Sequence, residues 1–319
     1  MPDLLFPTEG NPVPDNTRAG RLTMSDGTPL RYALFAAATR PLKGTVVVLT
    51  GRNECIEKYF ETARDLTARG FGVLCFDWRG QGGSGRMIRD PMRGYVDSFD
   101  EYVTDLDRIF QEVALPDCRA PFYILAHSTG ALVALLAAPQ LISRVRRMVL
   151  IAPPLRFHGR RASNKLLGWA AGALYALGLG SSYLGGGPRP REAAPFEGNK
   201  LTSDPGRYSR NQAIYAAHPE LALGGPTVAW IRATLIAAET VSDPEFLARI
   251  HIPTLMVAAG ADTVVSTAEV EEYSRRFRSG SLVTVDGARH EILQEADFYR
   301  EQFLAAFDAF IPGSGAPDA

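Results

Sequence analysis

Short apolar runs alternate with amphipathic stretches along most of the chain, the rhythm of a protein built from strands and crossover helices. Thr45-Val-Val-Val-Leu49 is a continuous β-branched run, which predicts a parallel strand buried on both faces. A helix over 56–68 follows and stops at Gly70. The same reading predicts strands over 72–76 and 122–126, helices over 99–113 and 129–137, and a buried strand over 147–152. The pattern then breaks for roughly eighty residues before it resumes. Beyond the break come a strand over 254–258, a helix over 268–277, a strand over 282–285 and a helix over 298–310. Near the start, two alternating segments between Arg21 and Phe35 flank Ser25-Asp26-Gly27, a hairpin signal. The stretch before it, to about Arg18, is rich in Pro, Asn and Asp and reads as an extended arm.

Because strand and helix alternate on both sides of the break, the chain is expected to form one mostly parallel, eight-stranded α/β sheet with helices on both faces. The break is then an insertion. Residues 1–154 and 236–312 form the two parts of the core, 155–235 an inserted helical cap, and 313–319 a disordered tail. No internal repeat of fixed period is present.

The 319 residues are 46% apolar and 22% charged, enough to bury a sizeable core. Basic and acidic residues number 34 and 35, so no electrostatic footprint for a nucleic acid exists. Three cysteines, Cys55, Cys75 and Cys118, are odd in number and widely spaced, which argues against a disulfide framework or a metal centre. The opening MPDLLFPTEGNPVPDN lacks the basic patch and apolar run of an export signal, so a cytoplasmic protein is expected.

Candidate chemistry centres on Ala126-His-Ser-Thr-Gly130, at the end of one predicted strand and the start of a helix. That is the context of a nucleophile elbow, whose tight turn demands small residues two before and two after the serine. Ser128 needs a base to take its proton. Of the five histidines, His127 adjoins the serine on a turn that points its side chain away. His158 and His218 lie in the insertion, and His251 precedes a strand at the opposite sheet edge. His290 follows the last strand at the edge where the elbow sits and is the candidate base. Asp262, in the loop after the preceding strand, is the candidate acid; Asp286, four residues before His290, is its rival. Backbone N–H groups of Thr129 and of Arg52, in the loop Thr50-Gly51-Arg52, are positioned as oxyanion donors. The Gly-rich Asp77-Trp-Arg-Gly-Gln-Gly-Gly-Ser-Gly85 leads into no immediate helix, so it reads as a structural loop and no nucleotide cofactor is expected.

These motifs, with Gly51-Arg-Asn-Glu-Cys-Ile-Glu-Lys-Tyr59, Leu201-Thr-Ser-Asp204, Arg207-Tyr208, Gly225-Pro-Thr227 and Gly287-Ala-Arg-His-Glu291, resemble the lysophospholipase and monoacylglycerol lipase branch of the α/β-hydrolases. The resemblance runs from about Gly20 to Phe310 and is strongest to bacterial lysophospholipases. It implies an α/β-hydrolase fold and a serine carboxylic-ester hydrolase acting through an acyl-enzyme on lysophospholipids or monoacylglycerols. No cofactor or metal is implied. Thr50-Gly51 stands where lipases of this branch commonly carry His-Gly, and Ala126 where many carry Gly, departures that bear on the substrate. Two rivals stay open: an aminopeptidase for short peptides, with Glu197, Glu220 or Glu239 gripping the amine, and a ligand-binding homologue without turnover.

Nineteen residues from Leu166 to Leu184 carry no charge, the length of a membrane span. A single span there would put Ser128 across the bilayer from Asp262 and His290. The stretch is therefore expected to be a mobile cap whose inner face covers an acyl pocket and whose outer face touches lipid peripherally.

Overall fold

A computed structural model describes residues 4–159, 161–188 and 195–313. Eight strands form one sheet: β1 (Thr17–Thr23), β2 (Pro29–Phe35), β3 (Gly44–Leu49), β4 (Phe71–Phe76), β5 (Phe122–His127), β6 (Val145–Ile151), β7 (Thr254–Ala259) and β8 (Gly280–Val285). Their spatial order is β1-β2-β4-β3-β5-β6-β7-β8, antiparallel in the first two pairings and parallel from β4 onward. The swap of β3 and β4 is the topological switch that leaves a crevice at the carboxyl edge of the central strands.

The run Thr45–Leu49 explains the two-layered core. Every residue of it is buried, and the period of two sends Val46 and Val48 to one face and Val47 and Leu49 to the other. On the first face α1 (Phe60–Ala68) brings Phe60 and Ala63, and the C-terminal helix brings Phe303 and Phe307. On the second, α2 (Phe99–Ile109), continued by a π-helical turn and the short α3 (Leu115–Asp117), lies beside α4 (Thr129–Leu141). Helix α4 is apolar nearly all round because it is enclosed along most of its length, only Gln140 near its end being exposed. Ser98 and Glu101 cap α2 reciprocally.

Between β6 and β7 lie α5 (Arg161–Ala176), α6 (Pro205–Ala217), α7 (Val228–Ser242) and α8 (Pro244–Ala248). After β7 come α9 (Thr267–Arg276), β8 and α10 (Asp297–Phe310). Residue 235, the expected end of the insertion, falls inside α7, and Ala237, Ala238 and Val241 of that helix join the core. Strand β1 starts at Thr17, within the stretch expected to be an arm. Its second half is the first arm of the expected hairpin, paired antiparallel with β2, whereas its first residues lie half-exposed at a sheet edge, so no apolar run marks where it begins. The expected tail lies, beyond Gly313, outside the described residues. No helix among the described residues is long and apolar enough to cross a membrane; α5 takes up only part of the uncharged stretch and ends at Ala176.

Candidate active site

Ser128 sits between the end of β5 and the first turn of α4 with φ 50° and ψ −115°, a conformation a side chain adopts only when its surroundings enforce it. Its N–H donates to the Ile151 carbonyl at 2.8 Å, and the buried Ala126 precedes it. A Cβ on Gly130 would run into the Leu49 carbonyl, so glycine is what lets α4 start this close to β3.

His290 and Asp262 converge on this turn from two other loops at the same sheet edge. The Ser128 hydroxyl lies 3.0 Å from His290 Nε2, and His290 Nδ1 lies 2.6 Å from Asp262 Oδ2. Asp262 Oδ1 accepts the N–H groups of Val264 and Val265 at 2.7 and 3.0 Å, which leaves Oδ2 aimed at the imidazole. Burial pushes the Asp262 carboxyl up, but the His290 charge and these hydrogen bonds prevail and hold it below the ordinary aspartate range. The rival Asp286 is exposed and makes no hydrogen bond to His290.

Arg52 and Thr129 both line the cavity above Ser128. Gly51 is constrained by a neighbour the sequence did not suggest. A Cβ there would meet the Glu54 carboxylate at 2.7 Å and the His127 ring at 3.0 Å, so its smallness serves the support of the loop rather than the approach of substrate. Glu54 Oε2 accepts the Gly51 N–H and the Tyr59 hydroxyl, the latter at 2.6 Å. Asn53, at φ 59°, donates its N–H to Gln81 at 2.7 Å, which fixes the same loop from the Gly-rich segment below.

That Gly-rich segment is itself built on buried charge. Arg31 pairs with Asp77 at 2.6 Å and Glu57 at 2.7 Å, and Asp77 also accepts the N–H groups of Ile56 and Gly83. Beneath the site, His127, Glu54, Lys58 and Glu291 form a second buried cluster, with Lys58 Nζ 3.2 Å from Glu54 and 2.7 Å from Glu291. Burial opposes ionisation of Glu54, yet Lys58 and then His127 hold its carboxyl well below the usual range. Sequence reasoning assigned no role to this cluster. Its signal was the i, i+4 spacing of Glu54 and Lys58 and the Glu291 that directly follows His290.

The cavity over Ser128 measures about 360 Å³. Its upper wall comes from the segment between β6 and β7 through Phe157, Leu167, Leu184, Pro226, Trp230 and Ile231. Lys200 stands on the same wall, exposed and without a carboxylate partner among the described residues. Glu197, Glu220 and Glu239 do not line it, and Glu239 faces a separate outer groove between α5 and α7. Cys55, Cys75 and Cys118 are unpaired thiols. Among the described residues no group of three or more His, Cys, Asp or Glu is placed to hold a metal ion.

A mostly parallel sheet, a serine on a strained strand-to-helix turn, and His and Asp from the two later loops define an α/β-hydrolase of the serine type. The chain belongs to the hydrolase family described as serine aminopeptidase, S33, whose pattern matches residues 40–297. It is 33% identical over 311 residues to lysophospholipase L2 of Escherichia coli (strain K12), covering 92% of this chain and 86% of that one. It is 30% identical over 283 residues to the probable lysophospholipase L2 of Haemophilus influenzae, covering 88% of each. Among solved structures, the monoacylglycerol lipase of Paleococcus ferrophilus superposes with a TM-score of 0.69 at 21% identity, over 89% of this chain and 99% of that one.

Proposed function

We propose that the chain hydrolyses the carboxylic ester of lysophospholipids or monoacylglycerols through an acyl-enzyme on Ser128. The observation that carries the reading is the continuous line Ser128–His290–Asp262, at 3.0 and 2.6 Å, beneath an apolar wall. Ser128 Oγ attacks the ester carbonyl while His290 Nε2 takes its proton, and Asp262 holds the imidazole and stabilises its charge. The N–H groups of Arg52 and Thr129 receive the oxyanion. His290 then returns the proton to the departing glycerol oxygen. Water, deprotonated by the same base, releases the fatty acid and restores Ser128.

The inserted segment is proposed as a cap of two faces. Along α5, Leu167, Ala171 and Leu174 turn inward at helical spacing, whereas Leu166, Trp169 and, just past its end, Leu177 are 71%, 81% and 75% exposed. Ile236 on the neighbouring α7 adds to the outer patch at 47%. An apolar patch of this kind suits peripheral contact with a lipid aggregate, from which a single-chain substrate enters the cavity. Lys200 at the wall favours a substrate whose head group carries a phosphate over a neutral one.

The family description keeps an aminopeptidase in view. A free amine would need an unpaired carboxylate in the cavity, whereas the two glutamates on its wall, Glu54 and Glu291, are both engaged by Lys58. Labelling of Ser128 by a fluorophosphonate, followed by turnover of p-nitrophenyl esters, lysophospholipids, monoacylglycerols and aminoacyl amides, tests the reading. Turnover confined to the amides would replace it with the peptidase. Absence of labelling would leave a binding protein.

A further inference from the structure

His127 has no bond to the Ser128 hydroxyl, yet its ring is almost fully buried and lies 4.9 Å, centroid to centroid, from that of His290. Its Nδ1 faces the two Glu54 carboxylate oxygens at 3.1 and 3.3 Å, and its Nε2 faces the His290 main-chain carbonyl at 3.1 Å. A carbonyl oxygen can only accept. Glu54 is also an acceptor, because an obligate donor meets each of its oxygens: the Lys58 ammonium at Oε1 and the Gly51 N–H at Oε2. A neutral imidazole has one N–H and one lone pair, so either tautomer would set a buried lone pair against another. Only the doubly protonated ring satisfies both contacts.

Charge balance agrees. Glu54 and Glu291 bring two negative charges into the cluster and Lys58 one positive, so the cluster is neutral only with a proton on each His127 nitrogen. Tyr59, which donates to Glu54, is held neutral, since burial and then the Glu54 charge push its hydroxyl pKa well up.

We infer that His127 is held as a buried imidazolium and serves as a positioning residue for the reaction proposed above, joining the three loops that assemble the site. Through Glu54 it braces the loop that carries the Arg52 N–H. Through the His290 carbonyl it fixes the backbone of the base. Through the chain it is bonded to Ser128 itself. Burial works against the charge on His127, but Glu54 and, less strongly, Glu291 prevail over it and over Lys58, raising the His127 pKa.

The sign of the pH dependence follows. A histidine whose pKa is raised in the folded chain contributes its clamp at lower pH and loses it as pH rises through that raised value. Loss of the proton removes the donor to one loop and leaves Lys58 as the one cation of the cluster against Glu54 and Glu291. The reaction then acquires an alkaline limb in kcat that belongs to His127, with KM little changed.

Protein labelled with 15N at its five histidines decides the protonation state without reference to turnover. His127 is identified by its proximity to the His290 ring and by its disappearance in His127→Gln. Both ring nitrogens are expected to carry protons at about pH 7, where an unperturbed imidazole is mostly neutral. A lone-pair nitrogen on His127 at about pH 7 overturns the inference even if Ser128 is labelled and esters are cleaved. Failure of labelling would instead overturn the proposed reaction and leave the charge state of His127 standing. Glu54→Gln should return His127 to a neutral ring near pH 7 and move the alkaline limb of kcat to lower pH, while His127→Gln should lower kcat and abolish that limb. An alkaline limb unmoved by either substitution overturns the positioning role; if His127→Gln fails to fold, Glu54→Gln and the spectrum of the unaltered protein still decide it.

Discussion

The Arg52 guanidinium lies over the Trp230 ring, 5.2 Å from its centroid. The same side chain donates to the Gly224 carbonyl at 2.8 Å. Arg52 therefore belongs to the loop after β3 by its place in the chain, lines the cavity, and reaches the segment between β6 and β7 with its side chain. The two contacts tie the proposed oxyanion donor to the proposed cap.

Arg52→Ala keeps the N–H and removes the tie. A desolvated cation–π contact is worth up to about 2 kcal/mol, and only part of it acts through loop position, so kcat should fall about tenfold. Steady-state hydrolysis of a soluble p-nitrophenyl ester measures this. An unchanged kcat would show that Glu54 and Asn53 shape the loop without help from the Arg52 side chain.

The acid is tested by ranking two aspartates. Asp262→Asn should lower kcat by about four orders of magnitude, the cost of losing the group that sets the imidazole tautomer, and Asp286→Asn should cost almost nothing. Ser128→Ala keeps a small residue on the turn, so circular dichroism should be unchanged while turnover drops below about one part in a thousand. Reversal of the two aspartates would move the acid to the loop after β8.

The sheet was legible because strands buried on both faces must be apolar at consecutive positions, as Thr45–Leu49 and the Phe122–Ala126 run are. The convergence of Ser128, His290 and Asp262 was legible because each follows the end of a strand at one sheet edge, so order along the chain fixes place in space. The buried clusters were not. Arg31, Glu57 and Asp77 stand 20 and more residues apart with no shared period, and their pairing exists only once β2 and β4 are side by side. The hairpin signal at Ser25-Asp26-Gly27 announced β1 and β2, but not that β1 begins as early as Thr17, because its half-exposed first residues match a loop as well as a strand. The crowding of Gly51 was not legible either, because the glutamate that meets it folds back from three residues on.

Acid should loosen the contact between α1 and α6. Burial pushes Glu61 up, but Arg207, Arg300 and Arg210 prevail and bring its pKa from the ordinary 4.5 to about 2. A carboxylate with a lowered pKa contributes stability above its unfolded value, and the contribution is lost as pH falls from about 4.5 through about 2. Glu61 pairs with Arg207 and Arg210 of α6 at 2.6 Å each. Discounted for partial solvation, the contribution is about 1–2 kcal/mol. Urea denaturation should give a stability that declines across this window, and Glu61→Gln should flatten the decline; an identical decline in both proteins would place the acid sensitivity elsewhere.

Lys200 separates charged from neutral head groups. If it meets the phosphate of a lysophospholipid, Lys200→Ala should raise KM for that substrate by about tenfold, the scale of one charge-assisted hydrogen bond. KM for a monoacylglycerol should not change. Equal effects on both would show that Lys200 shapes the cavity mouth without reading charge.

The outer face of α5 is tested by separating access to lipid from chemistry. Trp169 and Leu177 touch neither Ser128 nor the cavity wall, and burying each in an aggregate is worth about 1.5–3 kcal/mol. Trp169→Glu and Leu177→Glu should therefore weaken sedimentation with phospholipid vesicles by about tenfold or more and reduce turnover of long-chain lysophospholipid in step, because each replaces that gain by the cost of placing a carboxylate at the interface. Hydrolysis of p-nitrophenyl acetate, which reaches the cavity from water, should stay unchanged. Leu174→Glu supplies the contrast, since Leu174 packs inward against the core and its loss should damage both reactions together. Equal losses on the soluble and the aggregated ester in Trp169→Glu, or vesicle binding that survives both outer substitutions, would show that the exposed face serves only to complete the cap, and substrate would then enter as a dispersed molecule.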